Sequence, residues 1–139
     1  MGYSPDSTVF IIAGVIVQGY ASGSFIKVKR NKEVYSQKVG GHGDVVDVRS
    51  MDKTGTITIT LLAASNTNDA LSALLSADEL APYGTMNVPL MIKDNNGQTI
   101  IAGNGRIKGW PEVEVSEDEP HREWVFLVQN LQFFVGGHN

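Results

Sequence analysis

The three histidines are the side chains best suited to acid–base catalysis or metal binding in this chain, but their spacing supports neither role. His42 lies in a glycine-rich segment, His121 follows an acidic run, and His138 lies in the C-terminal Gly-Gly-His-Asn sequence. No two of them have the i, i+4 spacing with which one helix presents a pair of metal ligands. Because the chain has no cysteine, disulfides and thiolate metal sites are excluded. We therefore predict no metal and no other cofactor.

The carboxylates and hydroxyls give no clearer sign of an enzyme. Acidic residues are concentrated between positions 112 and 119. Strand alternation places Glu112 and Glu114 on the solvent side, and the others lack the spacing of a calcium-binding EF-hand loop. Ser65 and Ser72 lack the glycine context of a nucleophile elbow. These patterns predict a protein that is not an enzyme and that has a solvated acidic surface here.

Composition predicts one globular domain that does not bind nucleic acid or membranes. A chain of 139 residues can bury roughly two thirds of its unfolded surface in a single core. The net charge of −4 disfavours binding through phosphate neutralisation, and the basic residues between 27 and 38 suit a solvated strand face. The apolar run at 9–17 is far shorter than the roughly 20 residues of a membrane span. We predict a single domain over 1–139, a flexible N-terminal arm at 1–8, and synthesis in a reducing cytoplasm.

The first half of the chain predicts short strands separated by glycine turns. Residues 9–18 form a first strand that ends at Gly19, and residues 25–29 form a second strand with Ile26 and Val28 facing inward. Residues 30–33 suit a turn into another strand at 34–39. Val45–Arg49 is then predicted to form a hairpin with residues 56–61 across a tight turn at 51–55. The partner strand buries Ile57, Ile59 and Leu61 and points Thr56, Thr58 and Thr60 outward.

One helix follows this strand. Asn66 is positioned to cap it, and Asp69 lies where the positive end of the helix dipole favours an acid. Residues 76–79 resemble a second capping box that could kink the helix before Pro82 stops it. The predicted buried stripe consists of Ala70, Leu71, Leu74, Leu75 and Ala77, and the opposite, uncharged face of Asn68, Ser72 and Ser76 could contact a neighbour.

The second half of the chain predicts two further hairpins. Residues 86–93 and 98–108 flank the Asn-Gly pair at 96–97, which is a strong hairpin signal. Pro89 cannot donate to a ladder, so its strand should be an edge or bulged. Gly103 and Gly105 indicate a bulge or a close backbone approach. Residues 112–115 are predicted to pair with residues 122–128, a strand that is apolar on both faces and therefore central.

These eight or nine strands and one helix predict an antiparallel β-sandwich or partly open barrel with a single flanking α-helix. In their residues and in their order along the chain, four segments resemble the tail-tube proteins of contractile-tailed bacteriophages. The segments are VQGYASGSFIKV at 17–28, the stretch 40–78 with SNTNDAL at 65–71, IKDNNG at 92–97, and REWVF at 122–126 with FVGG at 134–137.

This resemblance implies the functional expectations. Tail-tube proteins are similar to the tube subunits of bacteriocins and type VI secretion systems, which form hexameric rings that stack into a hollow tube. The resemblance implies a virion protein, assembled in the bacterial host cytoplasm, whose partners are itself, sheath, tape-measure, baseplate and tail-terminator proteins. DNA would pass through a polar lumen without tight binding. The alternative is a β-sandwich adaptor, decoration or baseplate protein that makes no tube.

Contacts between copies are expected on two parts of the chain. The hairpin at 40–55 and the arm at 1–8 should reach the adjacent ring, and the glycines at 40, 41 and 43 should make the base of the hairpin pliable. The residues predicted to contact another copy are Tyr3, Gly41, His42, Asp44, Asp47, Asp52, Lys53, Pro89, Trp124 and Phe134.

Overall fold

The computed structural model describes residues 8–18, 20, 25–84, 87–94, 98–113 and 120–136. Within these ranges the chain forms ten strands and one helix. The strands are β1 (Thr8–Ile12), β2 (Val15–Ile16), β3 (Ile26–Arg30), β4 (Tyr35–Val39), β5 (Val45–Arg49), β6 (Gly55–Leu62), β7 (Val88–Asp94), β8 (Thr99–Ile107), β9 (His121–Val128) and β10 (Gln132–Phe134), and the helix α1 (Thr67–Leu80) lies between β6 and β7.

Eight of these strands form one antiparallel sheet in the order β2-β1-β7-β8-β9-β6-β3, with β10 paired to β8 beyond the end of β9. The strands β2 and β3 at its two ends do not pair with each other, so the sheet stays open. The strands β4 and β5 form a separate two-stranded sheet. The predicted fold class, a mainly antiparallel β-structure with one helix, is confirmed.

The core lies between the inner face of this sheet and the helix. Phe10, Trp124 and Phe126 are its largest fully buried side chains, and the rings of Phe10 and Phe126 meet edge to face at 5.6 Å. The predicted alternation of β6 is confirmed, since Ile57, Ile59 and Leu61 are buried while the intervening threonines are partly exposed. The predicted inward positions on β3 are also confirmed, because Ile26 and Val28 pack against the core and the alternating Lys27 and Lys29 are exposed.

The helix forms where predicted, but its start and its faces differ from the prediction. The side chain of Asn66 makes no capping hydrogen bond, because Asn66 itself has helical backbone angles. Asn68 instead lies toward the core and accepts a hydrogen bond from the indole of Trp124 at 2.9 Å. Leu71 and Leu75 are buried as expected, whereas Ala77 is exposed. The helix continues without interruption to Leu80, so residues 76–79 do not begin a second helical segment.

The predicted hairpin between β5 and β6 is wrong. β5 pairs with β4, and the glycines at 40, 41 and 43 belong to the turn at the tip of that hairpin. β6 pairs instead with β3 and β9, and in that position its isoleucines and Leu61 are buried in the core. Residues 50–54 therefore form a crossover from the small sheet to the large one.

Two strand boundaries also differ from the prediction. The stretch at 9–18 is divided into β1 and β2 by a turn in which Ala13 and Gly14 have φ values of 51° and 84°. Glu112 and Val113 are not in a strand, and β9 pairs with β8 and β6, so the pairing predicted between residues 112–115 and 122–128 is not formed by the described residues. β9 is nevertheless central, as predicted.

The hairpin of β7 and β8 is confirmed by the pairing of Asp94 with Thr99, while the turn at 95–97 lies outside the described residues. β7 is not an edge, since it lies between β1 and β8. Pro89 is tolerated because it lies one residue beyond Leu90, the last residue of β7 that pairs with β1. There its carbonyl accepts a hydrogen bond from the backbone N–H of Ala13. The predicted close approach at Gly105 is confirmed, because a Cβ there would clash with the carbonyl group of Leu127.

Candidate assembly interface

The residues considered for catalysis and metal binding do not converge on a site in the described part of the chain. No group of three or more His, Asp and Glu side chains in those ranges is placed to hold a metal ion. His42 lies at the tip of the β4–β5 hairpin and His121 at the start of β9, both exposed, while His138 is outside the described residues. Ser65 donates to the carbonyl of Gln18 and so helps to join the helix start to β2. No described helix is long and apolar enough to cross a membrane.

The most unusual feature of the surface is the β4–β5 hairpin, in which every strand residue is exposed. Residues directly opposite each other in an antiparallel pair share a face. One face carries Tyr35, Val39 and Val45 with Gln37, Asp47 and Arg49, and the other carries Val46 and Val48 with Ser36 and Lys38. An isolated two-stranded sheet is marginally stable in water, and this one leaves apolar side chains exposed on both of its faces.

The base of this hairpin is firmly held, in contrast to the pliable base that the glycines suggested. Asn31 donates through its backbone and its side chain to Thr54, both at 2.9 Å. The carboxylate of Asp52 accepts from the backbone and the hydroxyl of Thr54, at 2.8 and 2.6 Å. These two hydrogen bonds lower the pKa of Asp52. The flexible glycines lie at the other end, where Gly40 donates to the carbonyl of Asp44 across the tip.

The structure brings together only part of the predicted contact set. Gly41, His42, Asp44 and Asp47 share the hairpin, and Asp52 and Lys53 lie at its base. Pro89 and Phe134 are exposed elsewhere on the large sheet, and Tyr3 lies outside the described residues. Trp124 is only 1 % exposed and donates to Asn68 within its own chain, so its side chain has no free surface.

Two groups of residues were missed by the sequence reasoning. At the end of α1, Leu80, Tyr83 and Trp110 are exposed, and the indole of Trp110 donates to the carboxylate of Glu79 at 2.7 Å. At the open side of the sheet, Arg30 donates to the carbonyl of Leu131 and lies over the ring of Phe133. The sequence signal for the first group was the apolar run from Leu80 to Tyr83 at the helix end. The second group had no local signal, because Arg30 and Leu131 are about a hundred residues apart in the chain.

Comparisons with solved structures show the same fold in contractile injection systems. The tube-terminating cap of the anti-feeding prophage aligns over 98 % of this chain and 93 % of its own, with a TM-score of 0.65 and 11 % identity. A sheath/tube terminator of the extracellular contractile injection system PVC aligns over 97 % and 98 %, with a TM-score of 0.62 and 10 % identity. Its sheath–tube complex contains a chain that aligns over 96 % and 92 %, with a TM-score of 0.55 and 7 % identity.

Sequence comparisons identify the family. Structural protein ORF10 of Pseudomonas phage KPP10 is 24 % identical over 143 aligned positions, which cover 98 % of this chain and 83 % of the phage protein. The model of the bacteriophage PhiTE tail tube protein family matches residues 12–136, nearly the whole chain. The chain therefore belongs to the PhiTE tail tube protein family and is a structural component of phage tails.

Proposed function

We propose that this chain is the repeating subunit of a phage tail tube, which assembles into stacked hexameric rings around a conduit for DNA. The observation that carries the proposal is the β4–β5 hairpin, whose valines are exposed on both faces although its base is fixed by hydrogen bonds. A second copy lying on this hairpin would bury those valines. Closure of copies into a ring would also cover the strand edges at β2 and β3, which otherwise favour uncontrolled association.

The test is the assembly state of the purified protein. Size-exclusion chromatography, sedimentation and negative-stain microscopy should show rings or rods. Substituting Val46→Ser in the hairpin should reduce assembly. Leu127→Ser should not, because Leu127 is an exposed residue of β9, away from both the hairpin and the strand edges at β2 and β3; the two side chains are 57 % and 42 % exposed. A protein that sediments only as a monomer at high concentration, over a range of salts, would contradict the proposal.

The contacts between stacked rings would use the tip of the hairpin at 40–44 and the arm, which is shortened to 1–7 because Thr8 is the buried first residue of β1. The tip is the part of the hairpin farthest from its hydrogen-bonded base, so it is placed to reach another molecule. Deleting residues 2–7 should give a folded protein that makes rings but few long tubes. An unchanged yield of long tubes would remove the arm from these contacts.

The lumen would be lined by polar strand faces that do not hold DNA. Every phosphate captured by a lysine or arginine adds affinity and salt dependence, and a conduit must release its polymer. The net charge of −4 agrees with this role. Purified tubes should bind duplex DNA weakly at physiological salt, and tight binding with a steep salt dependence would contradict a freely passable conduit.

The proposed partners in the virion tail are sheath, tape-measure, baseplate and tail-terminator proteins, with assembly in the cytoplasm of the bacterial host. Support comes from the shared fold of the PVC sheath–tube complex and of the two terminating proteins. Mass spectrometry of purified tails should find this chain in many copies per particle. A few copies per particle would contradict the role of repeating subunit.

A second candidate function is that of a tube terminator. It is favoured by the TM-scores of 0.65 and 0.62 to the two terminating proteins, compared with 0.55 to the sheath–tube chain. A terminator should form a single ring that does not elongate and that binds one end of preformed tubes. Microscopy of the assembled protein separates the two functions, and a monodisperse monomer would instead favour an adaptor, decoration or baseplate protein.

A further inference from the structure

The strand β5 has a free backbone edge as well as exposed side chains. It pairs with β4 on one side and with no other strand in the described part of the chain. At its two ends the hairpin ladder has hydrogen bonds of 2.7 Å, from the backbone N–H groups of Gly40 and Ser50 to the residues opposite them. Because hydrogen-bonded pairs alternate along an antiparallel ladder, the N–H and C=O groups of Val45, Asp47 and Arg49 point away from β4. These three residues form the free edge.

Asp47 and Arg49 give the free edge two opposite charges on the same face of the strand. Both side chains are exposed, and within the described residues neither takes part in a side-chain hydrogen bond or an ion pair. The residues opposite them on β4 are Gln37 and Tyr35, which are uncharged. Both charges are therefore open to a strand that pairs with the free edge.

The free edge matches a second copy of itself in one antiparallel register, which the charges select. Residues of the free edge must lie opposite residues of the other free edge, since only these have N–H and C=O groups to exchange. Registers that set Asp47 opposite Asp47, or Arg49 opposite Arg49, bring like charges together and are destabilising. The register that sets Asp47 opposite Val45 leaves both charges unpaired. Setting Asp47 opposite Arg49 of the second copy forms an ion pair and a pair of backbone hydrogen bonds, and two-fold symmetry repeats them.

The same register brings exposed apolar side chains together. Val48 lies on the two-fold axis, so it meets Val48 of the second copy as a non-hydrogen-bonded pair, in which the Cα atoms are about 4.5 Å apart. Val45 lies opposite Met51 of the second copy, two residues beyond the end of β5. In the single chain Val48, Val45 and Met51 are 37 %, 58 % and 76 % exposed. The free edge of β5 is thus complementary to itself in backbone groups, charge and apolar side chains.

The other edge of the hairpin lacks this property. The residues of β4 that point away from β5 are Tyr35, Gln37 and Val39, which are uncharged, and Lys38 is the one charged residue of that strand. Pairing of β4 with itself would therefore form no ion pair. Pairing through β5 turns the marginal two-stranded hairpin into a four-stranded sheet in the order β4-β5-β5-β4.

We propose that two copies of this chain pair through β5 in an antiparallel, two-fold symmetric dimer centred on Val48, and that this dimer is a storage form that precedes tube assembly. The partner is a second copy because Asp47 and Arg49 match in charge when the strand meets itself in reverse. Stacked rings need head-to-tail contacts, whereas a two-fold contact closes on itself. The dimer must therefore separate before its hairpins take part in a tube. The storage role rests on the proposed function, but the dimer itself does not.

Disulfide formation tests the dimer, because the natural chain contains no cysteine. In Val48→Cys the introduced thiols should meet across the axis, within the limit of about 7 Å between Cα atoms, and give a linked dimer on mild oxidation of unassembled protein. Val46→Cys is the matched control, since it lies on the same face and is more exposed, at 57 %. In the dimer it lies opposite Ser50, so its own copies are about 13 Å apart along the strand. Val48→Cys should give at least about tenfold more linked dimer than the control.

Exchange of charge tests the register without a cross-link. Asp47→Arg alone, or Arg49→Asp alone, sets like charges opposite each other and should raise the Kd of the dimer about tenfold. An equimolar mixture of these two variants should recover the affinity of the natural protein, because every charged pair across the contact then has opposite signs. Both side chains are exposed, so the fold should be unchanged. Sedimentation at low ionic strength, where surface charges are least screened, measures the Kd.

The outcomes separate the dimer from the tube. Equal yields of linked dimer from Val48→Cys and Val46→Cys, or a mixture of charge variants that associates no better than either variant alone, would overturn the dimer and leave the tube function standing. Oxidised Val48→Cys should form no rings or tubes, and reduction should restore them. Equal assembly of the oxidised and reduced protein would overturn the storage role. If the linked dimer forms but the natural protein makes neither rings nor tubes, the dimer stands and the tube function fails.

Discussion

Removing the side chain of Asn68 should destabilise the monomer more than any other single change at the helix start. Its amide oxygen accepts from the indole of Trp124 at 2.9 Å. Its amide nitrogen lies 2.9 Å from the carbonyl oxygen of Leu62, 3.1 Å from that of Ser65 and 3.3 Å from that of Ala63. One side chain thus joins β9, the end of β6 and the start of α1.

The magnitude follows from what Asn68→Ala leaves behind. Trp124 is 1 % exposed, so its indole N–H would lose its partner in the core, at a cost of about 1–3 kcal/mol. The carbonyl groups are nearer the surface, and their shared hydrogen bonds add about 1 kcal/mol. We expect a loss of about 2–4 kcal/mol in the free energy of unfolding, which lowers Tm by roughly 5–15 °C for a domain of this size.

The matched control is Asn66→Ala, which removes the same side chain two residues earlier. An asparagine that caps a helix contributes about 1 kcal/mol, but Asn66 is exposed and makes no capping hydrogen bond. We expect its loss to stay below about 0.5 kcal/mol. Urea unfolding at concentrations where the protein is monomeric, followed by tryptophan fluorescence and circular dichroism, compares the two. Equal losses, or a larger loss for Asn66→Ala, would refute the assignment of this role to Asn68.

Three further predictions concern β8, β3 and the hairpin base. Gly105→Ala should lower the free energy of unfolding by about 3 kcal/mol or more in urea unfolding, because its Cβ would meet the backbone of Leu127 rather than a movable side chain. Arg30→Ala should speed amide exchange in β10 while leaving β7 protected, since it removes the hydrogen bond and ring contact at the open side of the sheet. Hydrogen bonds from Thr54 lower the pKa of Asp52. The stabilisation that the ionised Asp52 carboxylate gives the segment 50–54 is therefore present above the ordinary aspartate pKa, and it is lost as pH falls through the lowered pKa. Amide protection at 50–54 should show that loss, and Asp52→Asn should remove the pH dependence.

The sequence predicted burial well for β6 and for the leucines of α1, where one face of the element meets the core. The alternation at 56–61 gave the buried face of β6 because every second side chain enters the core of the same chain. Leu71 and Leu75 were found by helical periodicity for the same reason. The glycines of β8 were found because close packing of two backbones leaves no room for a Cβ.

Strand pairing was predicted less well, because local signals are compatible with more than one partner. Residues 51–55 have the composition of a tight hairpin turn, yet Asp52 and Thr54 use their side chains to shape a crossover. The turn at 40–44 suits a hairpin equally well, and it is the one that forms. The choice depends on burying β6 between β3 and β9, which come from regions about 30 residues before and about 65 residues after it in the chain.

The candidate interface was hard to identify for a related reason. The alternation of Val45 to Arg49 is the pattern of a half-buried strand, and the sequence does not say whether the covering layer is the chain's own core or a second molecule. In the monomer both faces of this strand are exposed, whereas Trp124, predicted as a contact residue, is enclosed. Hydrophobic periodicity therefore identifies surfaces that need to be covered, and only the fold shows which of them the chain covers itself. The valines of β4–β5 are such a surface, which the described part of the chain leaves exposed.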